Sequence, residues 1–368
     1  MADITFQNDV AALRRMNERF TPDPANIIDA ARNRKPARLP LYEHIIDMGV
    51  MEKILGEPIR ALRSTGGKRG LMDYYRKYSG AFRFMGYDYA VLEVCLGGAM
   101  PGSGALIGER DGVISDRASF RAYPWKDIPR VYKDSAYPEF DAFTQTLPQN
   151  MTAIGGVGNG LFECAEDLIG FEQLCYMNSD DPNLYSDVFK QLAETQLIIW
   201  RDFLSEFGGR YGVLRFGDDL GYKTNTMLSA RDIEEHIIPG YAAIIGLVHA
   251  TGKPFLLHSC GSIFGVMDAL ISKARIDAKH SNEDAIAPIS RWLDTYNDRI
   301  GIFGGVDVDA LCRGGDALDT LVRDIYRVGR AANGFAFGTG NSIAPYVPPE
   351  NYARMIRVFR ELRGETGF

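Results

Sequence analysis

Eight short apolar runs punctuate this chain, and most are followed by a stretch of helical periodicity long enough to cross back over a sheet. The runs are 39–44, 89–94, 151–157, 211–217, 254–260, 276–280, 300–306 and 334–340. Near-continuous apolar character suits parallel strands covered on both faces. The segments 183–207, 232–250, 262–273, 283–296 and 314–331 supply crossover helices. Eight strand–helix units most simply close into a (β/α)8 TIM barrel, here one domain over 39–368 with an N-terminal helical extension, 1–38. Within that extension, 5–20 reads as a helix capped by Asn8 or Asp9. The turn- and aromatic-rich segment 105–140 fits no unit and reads as an elaboration over one end. An open doubly wound sheet would call for a G-x-G-x-x-G turn followed by an acidic residue on the next strand. G-G-V-G-N-G at 155–160 lacks that context.

Composition removes several classes of function. A net charge of −7 argues against a nucleic-acid partner, because phosphate contacts need clustered Lys and Arg. No apolar run approaches the length of a membrane span. The opening M-A-D-I-T-F-Q-N-D lacks the basic region and apolar run that export requires. Five irregularly spaced cysteines form no disulfide framework, so a reducing cytoplasm is the expected setting.

The apolar runs finish in polar residues. They end at Glu43 and His44, at Glu93, near Asn159 and Glu163, at Arg215 with Asp218 and Asp219, at His258 and Cys260, at His280, at Asp307 and Asp309, and at Thr339, Asn341 and Ser342. Desolvating a charged strand end is unfavourable unless water, a partner or a ligand receives it. In a barrel these ends converge on one mouth, where chemistry is expected. Side chains two apart on a strand share a face, so His258 and Cys260 in H-S-C offer an imidazole nitrogen and a thiolate to one ion. Zinc accepts that mixture and needs one or two further ligands. Asp218, Glu163, His280 and Asp307 are the candidates for a third. Asp218 and Asp219 alternate in direction, so one faces the mouth while the other caps or pairs. Glu43 and His44 alternate likewise.

Several of these segments together resemble the uroporphyrinogen decarboxylase superfamily. They are P-A-R-L-P-L-Y-E-H at 36–44, G-G-V-G-N-G-L-F-E at 155–163, G-D-D-L-G at 217–221, L-L-H-S-C-G at 256–261, G-G-V-D at 304–307 and G-T-G-N-S-I-A-P-Y-V-P-P-E-N-Y at 338–352. The resemblance implies the same barrel fold and one of two chemistries. The porphyrinogen decarboxylases hold their substrate with an arginine-rich segment after the first strand, where this chain reads E-H-I-I-D-M-G. The zinc-containing, corrinoid-dependent methyltransferases carry an H-x-C motif that His258 and Cys260 match, plus a third ligand cysteine where this chain has Asn341. The resemblance therefore implies a zinc-assisted methyltransferase. It would move a methyl group between a small O- or N-methyl substrate and the cobalt of a corrinoid carried by a small partner protein, with a homodimer as a further expectation. The alternative is a decarboxylase or lyase acting on a small carboxylate. The expected metal ligands are His258, Cys260 and Glu163, and the expected catalytic residues are Asp218, Asp219, Glu43, His280 and Asn341.

Overall fold

A computed structural model describes residues 2–64 and 66–365. Seven of the eight apolar runs become strands: β1 (Tyr89–Cys95), β2 (Thr152–Gly158), β3 (Tyr211–Gly217), β4 (Phe255–His258), β5 (Ala278–His280), β6 (Gly301–Val306) and β7 (Phe335–Thr339). They form one sheet in chain order, β1 to β7, and the pairs β3–β4, β5–β6 and β6–β7 are parallel. Strand interiors are buried throughout β3, β4, β6 and β7, which is why they read as unbroken apolar runs.

The closed eight-stranded (β/α)8 TIM barrel expected from the sequence is not formed. The sheet is open, with β1 and β7 as its edges. The run 39–44 makes only an isolated parallel bridge, Leu41 to Phe337, beside β7. Two local causes limit it. Pro40 has no N–H to give to a ladder. The N–H of Glu43 donates to the hydroxyl of Tyr89 at 2.7 Å, not to a backbone carbonyl of β1. The segment is extended and buried, but it lacks the alternating donors that would stitch β7 to β1.

By their internal contacts the residues fall into two compact units. One comprises the chain up to 92 with 141–154 and everything from 277 onward; the other comprises 93–140 and 155–276. In the first unit, helix Pro349–Leu362 packs onto β7 through a stacked Phe337–Phe359 pair with centroids 4.2 Å apart. The N-terminal helix runs Ala2–Arg19, so Asn8 and Asp9 lie inside it and do not cap it. Asp9 instead accepts from Arg357 Nε at 2.5 Å, on helix Pro349–Leu362.

In the second unit, helix Pro182–Glu206 lays Trp200 and Phe203 over β2. A Cβ on Gly156 would sit 2.8 Å from the Trp200 ring, so the glycine run at 155–160 serves close helix–strand packing and not a nucleotide turn. The expected helix over 232–250 is interrupted. Ser229 caps Ala230–Asp232, a π-helical turn covers Ile233–Ile237, and the helix resumes at Ile238–Ala250. Pro239 cannot donate to the carbonyl four residues back, which accounts for the break in the ladder. The 105–140 elaboration is partly helical, with Arg117–Ala122 capped by Asp116 and the start of Ile128–Thr146. Among the described residues no helix is long and apolar enough to cross a membrane.

Candidate metal centre

The loops after β3 and β4 build the site. Gly217 is in register with His258, and the Asp218 N–H donates to the His258 carbonyl at 3.0 Å, so the ladder runs one residue past β3. Beyond it the two loops nearly touch. A Cβ on Gly261 would lie 2.1 Å from the Gly221 carbonyl carbon, and Gly261 has φ of +80°, so both the close approach and the backbone conformation require glycine. The Ser262 N–H donates to Tyr222 O at 2.6 Å, and the Leu220 N–H donates to Ser259 Oγ at 3.1 Å, which locks the loops in this register.

The paired acids diverge as alternation requires. Asp218 turns inward and is fully buried. It accepts the N–H groups of Phe162 at 2.9 Å and Glu163 at 2.8 Å, and the Tyr241 hydroxyl. These are free N–H groups of the first turn of helix Leu161–Ile169, whose own cap position is Gly160 and has no side chain to offer. Asp218 caps that helix from another strand. Gly160 is the residue that admits it, since a Cβ there would fall 2.3 Å from the carboxylate. Burial pushes the Asp218 carboxyl up, against the pull of its three donors.

Asp219 points the other way and is half exposed, at 47%. Its Oδ1 accepts the Cys260 N–H at 2.9 Å and stands 3.9 Å from His258 Nε2. His258 Nε2 is in turn 3.4 Å from Cys260 Sγ. The three ligand atoms of Asp219, His258 and Cys260 all lie within 4.8 Å of one another. An imidazole nitrogen, a thiol sulfur and a carboxylate oxygen at this separation fit a zinc ion with a position open to substrate. His258 is buried while Cys260 and Asp219 reach solvent, so the site is walled on one side and accessible on the other.

Glu163 stands beside this group. Its Oε1 accepts the Asp219 N–H at 3.2 Å and its Oε2 accepts from Asn159 Nδ2 at 2.8 Å. Burial, then the neighbouring Asp218, pushes its carboxyl up. Arg215, near the end of β3, is buried and bonded to Glu93 at 2.9 Å.

Glu43, His280 and Asn341 belong to the other unit, and each has a hydrogen-bond partner there. Glu43 is fully buried and accepts the Thr339 N–H at 3.1 Å and the Thr339 hydroxyl at 2.6 Å, with burial raising its carboxyl to about 8. His280 donates from Nε2 to Thr339 O at 2.9 Å, and its ring packs edge-on against Tyr42. Asn341 accepts the Ser342 N–H on its side-chain oxygen at 2.8 Å. Thr339, at the end of β7, is thus the point where Glu43 and His280 meet. Tyr241, bonded to Asp218, was not singled out by sequence reasoning, because nothing in the apolar run I-I-P-G-Y-A-A-I-I distinguishes its hydroxyl.

The sequence matches the family profile described as uroporphyrinogen decarboxylase (URO-D) over residues 127–362, and the chain belongs to that family. No curated protein matches it. Among solved structures, a methyltransferase from Methanosarcina mazei superposes with a TM-score of 0.67 at 15% identity, covering 94% of this chain and 99% of that one. At that identity the likeness is one of fold.

Proposed function

We propose that this protein is a zinc-assisted methyltransferase. It moves a methyl group between a small O- or N-methyl substrate and the cobalt of a corrinoid carried by a partner protein. The observation that carries the reading is the gathering of Asp219, His258 and Cys260 around one point at the ends of β3 and β4. The superfamily resemblance and the fold shared with a methyltransferase support it. Zinc held there would act as a Lewis acid on the heteroatom that carries the methyl group.

The chain's own residues divide the remaining work. His258 and Cys260 come from one extended segment and hold two ligand positions without any loop rearrangement. Asp219 supplies the third, oriented by its bond from the Cys260 N–H. Asp218 is committed to the helix cap and has no free oxygen for chemistry. Glu163, kept protonated by burial and tied to Asp219 through its backbone, is the group placed to give a proton to the departing oxygen or nitrogen.

The test is an anaerobic assay of methyl transfer from a panel of O- and N-methyl donors to reduced corrinoid, followed by the cobalt absorbance change. The natural chain is expected to transfer, and Cys260→Ala to lose roughly a thousandfold in rate. Release of carbon dioxide from a carboxylate substrate without corrinoid, at equal rates in both chains, would contradict the reading and favour a decarboxylase.

A further inference from the structure

We propose that a basic cleft beside the start of β7 binds a small oxyanion of charge −2 or more, such as a phosphomonoester or a compact polycarboxylate. The cleft lies wholly within the first unit and encloses about 710 Å³. Lys35, Arg38, Arg330 and Arg363 line it together with Leu39 and Tyr326, and none of its lining residues is acidic.

Behind the cleft, guanidiniums outnumber their paired carboxylates among the described residues. Three guanidiniums, Arg38, Arg360 and Arg363, cluster over the Phe20 ring at 4.7, 5.2 and 5.8 Å from its centroid. Two carboxylates serve them. Asp88 pairs with Arg38, while Glu365 is shared by Arg360 at 2.7 Å, Arg363 at 2.5 Å and Arg38 at 3.8 Å. Among the described residues these three guanidiniums share two carboxylates, and the Arg363 side chain is only 2% exposed. Arg363 Nε and Arg360 Nη2 are buried with no hydrogen-bond acceptor, and Asp88 Oδ2 and Glu365 Oε1 are buried with no hydrogen-bond donor, so the pairing inside this cluster is incomplete on both sides. Burial lowers Arg363 to about 10, the direction expected for a cation short of compensation. A buried, incompletely paired cation is unfavourable unless an anion completes it.

Two more cations face the same space. Lys35 and Arg330 are exposed and make no ion pair or side-chain hydrogen bond among the described residues. Arg330 sits in the last turn of helix Gly315–Ala331, where the helix dipole already favours a positive charge. Lys35 follows no such rule, because it lies in an irregular segment. The volume exceeds that of a bare phosphate and falls in the range of small-molecule sites. The aromatic and aliphatic surfaces of Tyr326 and Leu39 give the body of a ligand something to rest on, with its charged end toward the guanidiniums.

Isothermal titration calorimetry of the full chain with inorganic phosphate and with citrate, at constant ionic strength set by chloride, tests this. Lys35→Ala/Arg330→Ala is the comparison, since both side chains are exposed and neither holds the fold. Saturable binding of at least one probe, weakened about fivefold or more in the double variant, is expected. Binding of phosphate alone assigns a phosphoryl ligand, and binding of citrate alone a carboxylate one. No binding of either probe up to about 10 mM, or a smaller loss in the variant, overturns the proposal.

Discussion

Replacing Asp218 by alanine is expected to lower the unfolding free energy by about 3–5 kcal/mol, although the residue lies beside the candidate metal centre and makes no contribution to it. The reason is the number of donors it leaves behind. The N–H groups of Phe162 and Glu163 and the hydroxyl of Tyr241 all end on this one buried carboxylate. Alanine strands all three and removes the negative charge from the start of helix Leu161–Ile169. Tyr241→Phe removes a single donor and leaves the cap intact, so its expected loss is smaller, about 1 kcal/mol. Urea unfolding followed by circular dichroism measures both. Equal, small losses in the two variants would show that Asp218 is not the keystone of this turn.

Glu43 produces the second large effect, on the pH dependence of stability. Burial raises its carboxyl in the folded chain from an ordinary 4.5 to about 8. Below 4.5 the group is protonated in both states and the fold has its full stability. As pH rises from 4.5 to 8 the unfolded chain ionises while the folded chain holds its proton, so stability falls across that window and levels off above it. The fall assigned to this residue is on the order of 5 kcal/mol. Glu163 and Glu166, also raised by burial, act in the same direction. Glu43→Gln keeps the shape and still accepts the Thr339 N–H, while the Thr339 hydroxyl reverses to receive the amide. Urea midpoints between pH 5 and 9 are expected to slope downward in the natural chain and to slope less steeply in the variant, where Glu163 and Glu166 still contribute. An unchanged slope would show that Glu43 is ionised in the fold.

The strands were legible because burial on both faces leaves an unmistakable apolar run, and seven such runs became β1–β7. The run 39–44 carries the same apolar signature, but pairing depends on donors as well as on burial. Pro40 supplies none, and the Glu43 N–H is claimed by Tyr89, forty-six residues away. No local pattern discloses a contact of that kind. The pairing of His258 with Cys260 was legible for the opposite reason, since residues two apart on an extended segment share a face whatever surrounds them. The divergence of Asp218 and Asp219 followed from the same periodicity. Which acid joins the His258–Cys260 pair was not legible. It depends on where helix Leu161–Ile169 begins relative to β3, and that is set by Gly160 admitting the Asp218 carboxylate. The cation cluster over Phe20 was equally hidden, because its members come from positions 20, 38, 360 and 363 and meet only in the folded first unit.

The central claim is that the loops after β3 and β4 hold a metal ion. Metal content by inductively coupled plasma mass spectrometry tests it most directly, on protein purified anaerobically without chelator. The natural chain and His258→Ala/Cys260→Ala should be run side by side, with a circular dichroism spectrum to show that both are folded. About one zinc per natural chain, absent from the folded double variant, is the expected result. A natural chain that carries no zinc, or a double variant that retains it, would contradict the claim.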